Sequence, residues 1–166
     1  LHEPYRRQRQ MCIRDRNGIG KSTLLKTIAG LLKPLGGSFS FGHNVSIGYY
    51  DQQLEFENME NTVYKEFSRK FPELTTTKLR TILGSFLFTG EDVEKKIKVL
   101  SGGEKSRLKL CEIFKTEPNL LILDEPTNHM DIVGKESLEN ILKEYEGTLI
   151  SVSYTHLRAH ETLRHL

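Results

Sequence analysis

The densest chemistry in the chain lies where an apolar run, Leu120 to Leu123, gives way to two adjacent carboxylates, Asp124 and Glu125. A short apolar run of this kind suits a buried parallel strand, and such strands deliver their C-terminal residues to the sheet edge where ligands gather. Of two carboxylates placed there, Asp124 is suited to hold Mg²⁺, directly or through water, and Glu125 to polarise an attacking water as general base. Upstream, Asn17-Gly18-Ile19-Gly20-Lys21-Ser22-Thr23 forms a glycine loop that opens a helix. Its glycines let backbone amides turn toward phosphates at a helix N-terminus, where the dipole favours anions. Lys21 would reach the β- and γ-phosphates of a nucleotide and the Ser22 hydroxyl would bind Mg²⁺, with Asn17, Gly18, Gly20 and Thr23 completing the candidate contacts. The full phosphate-loop pattern asks for glycine at position 15, where this chain has Asp15. A carboxylate and a Cβ at that point oppose the approach of phosphate.

These groups need a scaffold, and the coarse pattern supplies an alternation of helices and strands. The spacing predicts a helix from Lys21 to Leu32, with its exit at Pro34 and Gly36-Gly37, then short strands over Ser38 to Phe41 and Val45 to Tyr50. Thr62 to Phe71 and Thr75 to Phe88 have helical spacing, interrupted by Pro72 and Gly84. Ser101-Gly102-Gly103 caps a further helix, Gly102 to Phe114. Asn119 to Leu123 reads as the buried strand, Gly134 to Tyr145 as a helix stopped by Gly147, and Thr148 begins another strand. The sum is an α/β fold, a parallel sheet core with a short helical insertion at about 53–100; the glycine loop at its start resembles that of the P-loop NTPases, which implies that fold. No internal repeat or low-complexity segment interrupts it.

Both ends carry a signature foreign to protein structure. Met11-Cys12-Ile13-Arg14-Asp15 can be encoded by ATG TGT ATA AGA GAC, whose reverse complement translates as Val152-Ser153-Tyr154-Thr155-His156. Together with Arg6 to Gln10 and Leu157 to Thr162, these segments look like in-frame translations of sequencing-library adapters. The expectation is that 1–16 and 152–166 are non-native and that 17–151 is a partial domain, incomplete at both ends. The net charge of +2 then loses its meaning, because the ends carry seven Arg against Glu3, Asp15 and Glu161, leaving about −2 between them. Neither a nucleic-acid nor a membrane partner follows from the charge. The stretch is long enough for one domain with a core and too short for two. Cys111, on a predicted helix, is expected to be a buried structural thiol, which fits a reducing, cytoplasmic compartment. No apolar run approaches membrane-spanning length, so direct membrane insertion is not expected, and any membrane role would need another polypeptide or a further segment.

Three motifs in this order, the glycine loop, Leu100-Ser101-Gly102-Gly103-Glu104 and Asp124-Glu125-Pro126-Thr127-Asn128-His129-Met130-Asp131, resemble the nucleotide-binding domain of an ABC-type ATPase. The resemblance implies ATP and Mg²⁺ as ligands. It also implies that Ser101, Gly102, Gly103 and Glu104 close over the γ-phosphate held by a partner cassette, so that two cassettes meet head to tail. Gln52 resembles the Q-loop glutamine that contacts Mg²⁺ and the attacking water, with Gln53 as the adjacent alternative. Pro126 to Asp131 resembles the D-loop, which gives His129 a place at the interface between cassettes rather than on a metal. Tyr49 and Tyr50 read as core and surface of one strand rather than a base-stacking platform. Two family parts are missing. The adenine-stacking aromatic should precede the glycine loop, and Tyr5 is a poor substitute. The switch histidine position is occupied by Tyr154, with His156 two residues out of register.

The wording Glu125-Pro126-Thr127-Asn128-His129-Met130-Asp131 resembles the ABC-F branch, and Gly42-His43-Asn44-Val45 with Ile47 to Gln52 resembles its second cassette. That branch carries two cassettes in one chain and acts on ribosomes in translation or antibiotic resistance. The alternatives are the ATPase subunit of a membrane ABC transporter, which would dock on a permease, and a truncated, non-hydrolysing nucleotide-binding module.

Overall fold

The computed structural model describes residues 10–13 and 20–152. Four strands, β1 (Gln10–Ile13), β2 (Ile47–Tyr50), β3 (Leu120–Asp124) and β4 (Thr148–Val152), form one sheet in the order β1-β4-β3-β2 with every pairing parallel. The helices are α1 (Lys21–Ile28), α2 (Val63–Lys70), α3 (Thr76–Ser85), α4 (Gly102–Lys115) and α5 (Ile132–Glu144). The expected α/β architecture is the observed one. β1 falls within the segment set aside as adapter-like; its pairing with β4 is made by backbone groups, which any sequence in extended form can supply.

Alternation along β3 assigns the two faces of the sheet. Leu121 and Leu123 point into the main core with Tyr50, Leu149 and the apolar sides of α2 to α5. Ile122 points the other way, into a smaller cluster with Leu25 of α1, Val152, Tyr49 and Ile150. Both faces being covered explains why β3 is apolar from Leu120 to Leu123. Burying the fully buried Leu121 and Leu123 contributes about 2 kcal/mol each. Tyr50 is fully buried and Tyr49 half-buried on the opposite face, so neither offers the exposed strand surface that the sequence suggested. Cys111 is buried in the main core, as expected.

The departures have local causes. α1 stops at Ile28, four residues before the expected Leu32, because Gly30 turns left-handed at φ 78° and the amides of Leu31 and Leu32 fold back onto the Lys26 carbonyl. That is a glycine-terminated helix end, reached before the Gly36-Gly37 pair. Ser38 to Phe41 forms no strand; a strand needs a neighbour for its ladder, and the segment has none among the described residues. The insertion holds α2 and α3, capped by the hydroxyls of Thr62 and Thr75, followed by two 3₁₀ turns, Gly90–Glu94 and Ile97–Val99, that periodicity did not indicate. The amides of Ile97 and Lys98 donate to the carbonyls of Asn61 and Met59, tying the insertion back against the approach to α4.

Candidate functional site

At the C-terminal edge of the sheet the strand ends and the start of α1 converge. Gly20, Lys21, Ser22, Thr23, Gln52, Glu125 and Asn128 line one open pocket. Gly20 stands at φ 87°, a left-handed value that suits glycine, and its next residue opens α1. Lys21, Ser22 and Thr23 are therefore first-turn residues, where helix amides face the ligand. Asn17, Gly18 and Asp15 lie outside the described residues, as do Tyr5, Tyr154 and His156.

Asp124 ends β3 on the α1 face and is 1% exposed. Both of its carboxylate oxygens are buried without a hydrogen-bond partner among the described residues. Burial pushes its carboxyl above the usual range; the nearby Ser22 hydroxyl pulls it back, and the negative charges of Glu125 and Asp51 add to the rise. An unpaired buried carboxylate is costly. The arrangement fits Mg²⁺: a hard carboxylate waiting beside a first-turn hydroxyl, with no cluster of three or more acidic, His or Cys side chains among the described residues to form a protein-only cage. Mg²⁺ is held in this way, by one or two protein oxygens, with phosphates and water completing its shell.

Glu125 follows at φ 50°, a left-handed value that a side-chain-bearing residue rarely adopts. Its amide donates to the Val152 carbonyl at 2.9 Å, anchoring the turn to the neighbouring strand. Gln52 Nε2 lies 3.3 Å from Glu125 Oε2, and Asn128 Nδ2 donates to the same oxygen. Gln52 reaches Glu125 because β2 pairs with β3 in register, Tyr50 opposite Leu123. Gln53 is absent from the pocket lining, and its amide instead donates to Asp51 Oδ1 at 3.0 Å. Asp51 in turn pairs with Lys26 of α1 at 2.9 Å. Sequence reasoning named neither this ion pair nor Asn128 as part of the pocket. The signal for Asn128 was its place three residues after Glu125 across Pro126, the spacing of a turn.

The Ser-Gly-Gly segment sits apart from that pocket. Ser101 Oγ accepts from the Glu104 amide at 3.2 Å while Glu104 Oε2 accepts from the Ser101 amide at 2.7 Å, a complete capping box. Glu104 thus spends its carboxylate on its own helix, with Lys95 3.6 Å away. Ser101 is exposed. A Cβ on Gly102 would meet the His129 side chain at 3.3 Å, and one on Gly103 would meet the His129 carbonyl oxygen at 2.8 Å. His129 itself is exposed. The structure brings together Lys21, Ser22, Gln52, Asp124 and Glu125 and leaves Ser101 to Glu104 facing elsewhere.

The arrangement can bind a nucleotide's phosphates and activate a water. The ABC transporter family model matches residues 6–128. The chain is 52% identical over 138 residues to the Bacillus subtilis ATP-binding protein YdiF, covering 83% of this chain and 22% of that protein. It is 42% identical over 150 residues to ABC transporter F family member 5 of Arabidopsis thaliana, covering 89% of this chain and 22% of that one. In fold it matches an ABC transporter ATP-binding protein from Pyrococcus furiosus with a TM-score of 0.76 at 24% identity, over 91% of this chain and 80% of that one. The chain spans under a quarter of the length of these two curated relatives. The order of its motifs, the all-parallel sheet that presents them and the family match agree: the chain belongs to the ABC transporter family, as an ATP-binding domain.

Proposed function

We propose that the chain is an ATP-hydrolysing cassette of the ABC-F type, working within a longer two-cassette protein in the cytoplasm that acts on ribosomes in translation regulation or antibiotic resistance. The observation that carries the hydrolytic reading is a buried Asp124, without a hydrogen-bond partner among the described residues, next to a Glu125 whose carboxylate is held by Gln52. The ABC-F reading is supported by the F family relative and by the D-loop wording.

Lys21 and the first-turn amides of α1 would receive the phosphates. Ser22 and Asp124 would hold Mg²⁺, which supplies charge neutralisation on the transferred phosphoryl group. Glu125 would accept the proton of the attacking water, and Gln52, with its amide nitrogen on Glu125, would leave its amide oxygen for the metal or that water. Ser101 with Gly102 and Gly103 would complete the site of the partner cassette, which makes turnover a property of the pair. Opening after hydrolysis would release the factor from the ribosome.

The test is Glu125→Gln in the full-length protein. ATP should still bind and close the cassettes, turnover should fall about 10²–10⁴-fold, and the protein should accumulate on ribosomes. Unchanged turnover removes Glu125 from the catalytic role, and trapping without ribosome association removes the ABC-F reading. The chain alone should show negligible turnover.

A further inference from the structure

Glu125 is gripped from two directions at a single atom. Gln52 approaches from the end of β2 and Asn128 from the turn after β3, and both amide nitrogens converge on Oε2, leaving Oε1 outside the clamp. The backbone sets this up. Glu125 is left-handed, Pro126 restricts the next φ, and the Asn128 amide closes the turn onto the Glu125 carbonyl at 3.3 Å. The turn therefore returns the Asn128 side chain over the Glu125 side chain, three residues back. Only the nitrogen of an Asn amide is compatible with a carboxylate oxygen, so the direction of this bond is not in question.

Stability does not explain the arrangement. Asn128 is exposed, and a hydrogen bond open to water contributes little to folding. It does restrict the carboxylate: with Oε2 engaged twice, rotation about the last side-chain torsion of Glu125 breaks both bonds. We propose that Asn128 is a positioning residue for Glu125, which by engaging Oε2 together with Gln52 selects Oε1 as the oxygen presented to the attacking water. The proposal rests on Glu125 being the general base.

The experiment is steady-state ATP turnover by the full-length protein with N128A and with the isosteric N128D, which keeps the shape and loses the donor. Both should lower kcat about tenfold or more while KM for Mg-ATP stays within about twofold, since Asn128 acts in the reaction rather than in ground-state binding. N128D should be the worse, because it sets a carboxylate against a carboxylate. In an E125Q background, N128A should cause no further loss, as expected for residues acting through one another. Unchanged kcat in N128D, a rise in KM without a fall in kcat, or an undiminished effect of N128A in E125Q each overturns the proposal. If E125Q alone leaves turnover intact, the general-base reading fails first, and the two failures are told apart.

Discussion

Gly103, in the first turn of α4, lies so close to His129 that a Cβ on it would come within 2.8 Å of the His129 carbonyl oxygen. The contact is with backbone, so the turn carrying His129 and the start of α4 are held in van der Waals register by the absence of a side chain. In an open helix, replacing Gly by Ala gains up to about 1 kcal/mol through propensity. Here the sign should reverse. Gly103→Ala should destabilise the chain by about 1–3 kcal/mol, and a higher midpoint in chemical denaturation would show that the contact is slack.

Glu104 offers a separation of structure from charge. Its carboxylate closes the capping box on Ser101, and Gln can do the same while Ala cannot. Glu104→Ala should cost about 1 kcal/mol of stability and Glu104→Gln much less. Equal losses in thermal melts would mean that the charge and its pairing with Lys95, not the cap, is what matters.

Asp124 is expected to be a site where function opposes stability. Its two buried oxygens, without a hydrogen-bond partner among the described residues, are an unfavourable feature of the fold. Asp124→Asn should raise stability without nucleotide by about 1–2 kcal/mol and abolish the Mg²⁺-dependent part of any stabilisation by ATP. A variant that melts lower, yet still responds to Mg²⁺, would count against Asp124 as the metal ligand.

Glu66 should give the domain an acid limb. Burial acts to raise its carboxyl, but the Asn61 amide and the charged donors of Arg69 and Lys70 outweigh it and hold the carboxyl below the ordinary 4.5. Because the folded-state value is the lower one, this contribution is complete above the unfolded value and is lost as pH falls through the folded one. Glu66→Gln should therefore flatten the loss of stability below pH about 4.5 relative to the parent chain. The comparison is a set of denaturation curves over that range, and parallel acid limbs would contradict it.

Much of the site was legible before folding was considered. The glycine loop, the carboxylate pair after Leu123 and the capped helix at Ser101 are local patterns whose chemistry depends on neighbours in the chain. The strand at Leu120 and the helices of the insertion followed from periodicity for the same reason. Tertiary structure decided the rest, because it depends on which distant segments meet. Gln52 rather than Gln53 faces Glu125 only once β2 is in register with β3. Asn128 joins the pocket only because Glu125 adopts a left-handed backbone anchored to Val152. Ser38 to Phe41 alternates like a strand and forms none, since a ladder requires a partner that alternation cannot provide. Local composition determined the chemical groups and their elements; long-range pairing of β2, β3 and β4 determined which of those groups touch.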